Sequence, residues 1–187
     1  MITAVILADK RNRKDPNAQI YLLEQLFPGI NIVVVLGYRP NDLAIPPKVK
    51  VTINNNYDAV NDGFSLRLGL QECYRDKVLV LDGAYLYGDK LLQDFPMNKS
   101  TALLDKKKQV KTTVGARVLK DKIEVFGYGV RTMFGRALYL QGNELSVIRR
   151  ECLKGSKTRH FIFELLNCSI DQGGEFTPYF AMEGEIK

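Results

Sequence analysis

The chain of 187 residues contains no apolar run that approaches the roughly 18 residues of a membrane span, and no membrane partner is expected. Its start, Met1-Ile2-Thr3-Ala4-Val5-Ile6-Leu7-Ala8, is apolar but lacks a basic region and breaks into charge at Asp9. It reads as a strand rather than a signal peptide. Histidine occurs once, as His160, beside Phe161 and Phe163. A lone histidine among aromatics reads as structural rather than catalytic, and no Ser-His-Asp set accompanies it. Cys73, Cys152 and Cys168 are odd in number, far apart and at no metal-ligand spacing. Reduced thiols in a cytoplasmic compartment are the expectation. P-loop and dinucleotide fingerprints are missing, as are repeats, low-complexity tracts, heptads and long linkers. The length suits one domain.

What is present alternates between buried strands and helices. Lys77-Val78-Leu79-Val80-Leu81 is a short apolar run that stops on Asp82-Gly83, the pattern of a strand at the centre of a parallel sheet. Thr3 to Ala8 and Asn31 to Leu36 read the same way, and Lys48 to Ile53 as a more exposed strand. Helical spacing runs from Ala18 to Phe27, and a second helix is expected from Ser65 to Tyr74 with Ser65 as its N-cap. The order suggests a layered α/β sheet. Beyond Gly88, Thr101 to Leu104 reads as a strand, Lys106-Lys107-Lys108-Gln109 as a basic turn, and Lys111 to Leu119 with Lys122 to Phe126 as a hairpin turning at Lys120-Asp121. Extended structure over Thr132 to Leu140, helices over Asn143 to Leu153 and Phe161 to Cys168, and a strand over Phe176 to Met182 complete the reading. Gly155 to Arg159 forms a basic loop.

In open α/β sheets ligands bind just beyond the carboxyl ends of the strands, which makes Asp82 the first carboxylate of interest. Lys10, Arg11, Arg13 and Lys14 follow the first strand and suit a phosphate-facing surface. That loop has no glycine, so its backbone cannot wrap a phosphate and the contacts must come from side chains. The net charge of +6 and isoelectric point near 9.2 favour anionic ligands without choosing among them. The basic residues are scattered and no nucleic-acid motif accompanies them, so nucleic acid is the less favoured partner.

Several pieces in this order resemble the nucleotidyltransferases of the sugar-phosphate and choline-phosphate class, with their glycosyltransferase-A-like, Rossmann-like fold. Val5-Ile6-Leu7-Ala8-Asp9 is similar to their first strand. Tyr21-Leu22-Leu23-Glu24-Gln25-Leu26 is similar to their first helix, and Gly37-Tyr38 to the end of their second strand. Asn54 or Asn55, Tyr57, Asn61, Ser65 and Leu66 match their Asn-x-x-Tyr-x-x-x-Asn-x-x-x-Ser-Leu pattern. The similarity covers Met1 to Gly88. It implies a single mostly parallel α/β domain over 1–187, with a nucleotide-binding half (1–88), an acceptor-side half (89–187) and a β-rich insertion. It also implies an NTP, a small phosphorylated sugar or choline-type acceptor, and Mg²⁺. Carried over by position, Lys14 is the catalytic cation. Leu7, Ala8, Lys10, Arg11, Asn61 and Ser65 are the nucleotide contacts, and Asp82 is the metal ligand. The departures are specific. Lys10 and Asn12 stand where that class has two loop glycines, Lys14 stands at its arginine, and Gly83-Ala84 stands at the Gly-Asp that holds its metal. An Ile-Asp with a second metal aspartate lies near the end of that class; here Ile170-Asp171 comes earlier. The alternatives to an enzyme are a lapsed relative that binds a nucleotide or protein partner, and a basic nucleic-acid-associated protein.

Overall fold

The computed structural model describes residues 2–108, 112–130, 132–154 and 159–187. Residues 155–158, most of the basic loop read from the sequence, lie outside this set. The chain runs β1 (Thr3–Ala8), α1 (Pro16–Leu26), β2 (Asn31–Leu36), a 3-10 turn (Pro40–Asp42), β3 (Lys50–Ile53), α2 (Asp62–Gln71), β4 (Lys77–Asp82) and α3 (Asp89–Asp94). It continues with β5 (Thr101–Lys108), β6 (Val114–Leu119), β7 (Lys122–Tyr128), β8 (Thr132–Gln141), α4 (Gly142–Leu153), α5 (Ile162–Asp171) and β9 (Thr177–Ala181). All of the described strands belong to one sheet, in the order β3-β2-β1-β4-β8-β5-β9, with β6 and β7 branching from β8.

The expected parallel core is present: β3, β2, β1 and β4 are all parallel neighbours. β8 then runs antiparallel between β4 and β5, and β5 pairs parallel with β9. Side chains alternate across such a sheet, and both faces are covered. Val5, Leu7, Val78 and Val80 pack with Leu66 and Leu70 of α2, Ile148 of α4 and Leu165 of α5. Ala4, Ile6, Leu79 and Leu81 pack on the other face with Ile20 and Leu23 of α1 and Leu91 and Leu92 of α3. Two-sided burial is why β1, β2 and β4 read as unbroken apolar runs.

Two expectations are corrected. In the basic turn expected over Lys106 to Gln109, Gln109 lies outside the described residues, and Lys106 to Lys108 are not a turn but the end of β5, which has β8 and β9 on either side; Lys106 lays its ammonium over the Phe180 ring at 5.3 Å. The second helix begins almost a turn before Ser65, at Asp62, with Asn61 as N-cap. The expected hairpin turns at Lys120-Asp121, both with positive φ (48° and 61°), the conformation of the tight turn that matches strand twist. Asn167 on α5 ties this hairpin down. Its side chain accepts from the Phe126 N–H at 2.9 Å and donates to the Phe126 carbonyl at 2.8 Å.

Candidate functional site

The carboxyl ends of β1 and β4 are neighbours, with Leu7 in register with Asp82. Gly83 lets the two chains cross closely: a Cβ there would lie 2.8 Å from the Ala8 Cα and the Leu7 carbonyl. The Gly83 N–H donates to the Leu7 carbonyl at 2.8 Å, and the Lys14 N–H donates to the Gly83 carbonyl at 2.8 Å. The loop after β1 therefore lies against the turn after β4. Between them opens a cleft of about 260 Å³, lined by Leu7, Asp9, Lys10, Asn12, Asn61, Asp62, Asp82, Ala84, Tyr85, Arg136 and Phe161 among others. A larger hollow of about 470 Å³ sits at the opposite ends of the strands, around Thr3, Asn31 and Lys50. Its Lys48 and Lys50 are already paired with Glu24 and Glu72. The cleft at the carboxyl ends is the stronger candidate because it brings together charges of both signs at the place where α/β sheets bind ligands.

Asp9 anchors one wall. It is 1% exposed, and its Oδ2 accepts from Ser65 Oγ at 2.7 Å and Asn54 Nδ2 at 3.2 Å. Asn54 Nδ2 also donates to Ser65 Oγ at 2.9 Å. Buried polar groups require such mutual satisfaction, so Ser65 serves a sealed network rather than the cleft surface. Lys10 faces Asp9 at 3.6 Å and donates to the carbonyls of Tyr57 and Val60, the latter at 2.8 Å. One ammonium thus holds the loop between β3 and α2. Asn61 donates to the Arg159 carbonyl, and the Ile162 N–H donates to Asp62 Oδ1 at 2.8 Å. These bonds seat the start of α5 on the start of α2. Gly63 permits this contact, since a Cβ there would meet the His160 carbonyl at 2.3 Å.

Arg136 supplies the opposite wall. Its Nη1 donates to Asp62 Oδ2 at 2.7 Å and lies 3.7 Å from Asp82 Oδ2. The other Asp82 oxygen, Oδ1, accepts from the Ala84 N–H at 2.9 Å, so the chain turns immediately after β4. Arg136 has φ +62°, a left-handed conformation that non-glycine residues rarely adopt and that concentrates at functional sites. Buried Tyr87 fixes this strained peptide by donating its hydroxyl to the Arg136 carbonyl at 3.0 Å. Burial raises the Asp82 carboxyl above the usual aspartate range, opposed by the Ala84 N–H and the Arg136 charge. Burial also disfavours the Arg136 charge, but Asp62 and Asp82 outweigh it and raise its value.

Of the residues proposed from sequence, Leu7, Lys10, Asn61 and Asp82 meet in the cleft. Ala8 packs under Gly83. Ser65 sits behind the wall, and Arg11 lies outside with its guanidinium over the Tyr38 ring at 5.3 Å. Lys14 is exposed at the rim, joined to the Asp82 turn through its backbone. Asp9, Asp62, Arg136 and Phe161 were missed. A lone arginine inside the apolar run Phe134 to Leu140 was the one signal for Arg136.

No protein-family model matches the chain, and no curated protein matches it in sequence. Solved structures do. The CTP:phosphocholine cytidylyltransferase from Streptococcus pneumoniae aligns over 99% of this chain and 92% of its own, with a TM-score of 0.72 and 15% identity. The fold is that of the nucleotidyltransferases. The inositol-1-phosphate CTP transferase from T. maritima aligns over 95% of this chain and 84% of its own at TM-score 0.69 and 14% identity. The nucleoside-diphosphate-sugar pyrophosphorylase from Vibrio cholerae RC9 aligns over 100% and 94% at TM-score 0.75 and 10% identity. At these identities the likeness is one of fold. Among the described residues no helix is long and apolar enough to cross a membrane, and no group of three or more His, Cys, Asp or Glu side chains is placed to hold a metal ion.

Proposed function

We propose that the cleft binds a nucleoside triphosphate and that the protein joins its nucleotidyl group to a small phosphorylated acceptor of the sugar or choline type. The observation that carries this reading is the convergence of Lys10, Asn61, Asp82 and Arg136 beyond the carboxyl ends of β1 and β4, on a fold shared with cytidylyltransferases and sugar-nucleotide pyrophosphorylases. Residues 1–88 form most of the nucleotide side, to which Arg136 and Phe161 of the acceptor-side half (89–187) are added.

The chemistry asks little of a general base. An acceptor phosphate oxygen, already anionic, attacks the α-phosphorus; a new P–O bond forms, the α–β bridging P–O bond breaks, and pyrophosphate leaves. Such transfers depend on positioning and on cations that meet the developing charge. Arg136 is the fixed cation of the cleft. Lys10 adds charge at the end of β1, Leu7 lines the cleft with Ala8 packed beneath the Gly83 turn, and Lys14 meets the outer phosphates from the rim. The fold resemblance also implies Mg²⁺ on Asp82. The residues present do not fit that ion, because the Arg136 guanidinium stands between Asp62 and Asp82 where its charge would oppose a dication, and Ala84 offers no ligand. Ala84 at the position of that class's metal aspartate favours a second reading, a relative that binds the nucleotide without turning it over. Three unbridged thiols agree with a cytoplasmic protein.

A nucleotide at about a hundredfold its dissociation constant should stabilise the protein by about 2.7 kcal/mol, or roughly 5–10 °C in melting temperature for a chain of this length. A melting screen of the four ribonucleoside triphosphates checks this. Pyrophosphate release with a panel of sugar and choline phosphates then separates the enzyme from the binder. No shift with any triphosphate would end the nucleotide reading.

A further inference from the structure

The cation of this cleft is covalently part of the chain. We propose that the Arg136 guanidinium takes the place of a divalent metal ion between Asp62 and Asp82, so that nucleotide binding is indifferent to Mg²⁺. The nucleotide half of this statement rests on the reading proposed above; the metal half does not.

Geometry carries the argument. Asp62 and Asp82 approach from two different elements, the start of α2 and the end of β4, and among the described residues the cation within ion-pairing distance of both is Arg136. Each Asp62 oxygen already holds a donor: Oδ1 accepts the Ile162 N–H and Oδ2 accepts Arg136 Nη1. Asp82 Oδ1 accepts the Ala84 N–H, and Oδ2 faces the same Nη1. Asp9, the third carboxylate lining the cleft, is tied on its Oδ2 to Ser65 and Asn54 and faces Lys10 rather than Arg136. Magnesium demands oxygen ligands at about 2.0–2.1 Å in near-octahedral array. To gain them here it would have to displace a guanidinium held at 2.7 Å. The backbone adds an independent sign that the arginine is aimed rather than incidental. Its φ of +62° turns the side chain out of the regular strand pattern, and the buried Tyr87 hydroxyl fixes that peptide. A guanidinium has five donors in a planar fork, so its pairing with Asp62 and Asp82 leaves N–H groups for phosphate oxygens. Side-chain exposures of 32% for Arg136, 18% for Asp62 and 24% for Asp82 keep the set reachable from solvent.

The test has two arms. In the first, the free protein is titrated with Mn²⁺ and bound ion is read by water-proton relaxation. The wild type should show no site tighter than the millimolar range. Arg136→Met should gain one at least about tenfold tighter, and Asp82→Asn added to that variant should remove it. A submillimolar Mn²⁺ site in the wild type, or no gain in a folded Arg136→Met protein, overturns the proposal. In the second, ATP, CTP, GTP and UTP are compared on the wild type in EDTA and in excess Mg²⁺. The bound nucleotide should show the same affinity in both within about twofold, and a gain of tenfold or more from Mg²⁺ overturns the proposal. The wild-type measurements need no variant to fold. If no triphosphate binds in either condition, the proposed function fails and the Mn²⁺ titration alone decides whether Arg136 holds the metal position.

Discussion

Asp9→Ala is expected to lower the melting temperature by about 10 °C, a loss of roughly 3–5 kcal/mol. Asp9 is not a surface ion-pair partner whose removal water would repair. At 1% exposure it is the shared acceptor for Ser65 Oγ and Asn54 Nδ2 and the counter-ion of Lys10. Alanine would orphan the Ser65 hydroxyl, leave Asn54 Nδ2 with Ser65 Oγ alone and leave the ammonium without its carboxylate, and unsatisfied buried groups are costlier than the net value of the bonds they lost. The same residue joins β1 to the loop entering α2, so the damage falls on the cleft as well as on the core. Thermal denaturation followed by circular dichroism checks it, and a fall of less than about 2 °C would show that the network carries little of the stability. Ser65→Ala should cost less, about 1–2 kcal/mol, because it removes one donor and leaves the carboxylate with another.

The second large effect belongs to Phe126→Ala, at about 3–5 kcal/mol. Phe126 is 1% exposed and meets Phe134 and Phe176 edge-on, with ring centroids at 5.3 and 6.1 Å. Beside the backbone pairing of β6 with β8, it packs the β6–β7 hairpin against β8 and against Phe176, just before β9. Asn167 grips its backbone N–H and carbonyl, so the surroundings are held in place and cannot collapse into the space left behind. Chemical denaturation should report the loss. Any nucleotide-induced melting shift should persist, because Phe126 does not line the cleft. A variant that keeps its stability but loses the nucleotide response would reverse this division of labour.

The contrast between these two residues marks how far the sequence could be read. β1, β2 and β4 were legible to within a residue, because strands buried on both faces leave unbroken apolar runs with turn residues at their ends. The start of α2 was not, since Asn61 and Ser65 are both good caps in isolation and only the Asp9 contact assigns the serine hydroxyl elsewhere. The Lys106 to Lys108 run carried the signature of a solvated turn, yet β5 continues through it, past its last β9 partner at Asp105, to pair Lys108 with Thr132 of β8. Four of the expected contact residues meet in the cleft because motif order places strand ends side by side. Arg136 was out of reach for the opposite reason. It comes from β8, which inserts antiparallel between β4 and β5, and no local pattern says which strand will become the neighbour of β4.

The left-handed peptide at Arg136 bears on how this chain could drift under mutation. Glycine is the residue that such a φ favours, so a change to glycine there would relax the backbone while deleting the charge that faces both Asp62 and Asp82. Backbone relief and charge at the cleft therefore make opposite demands on position 136.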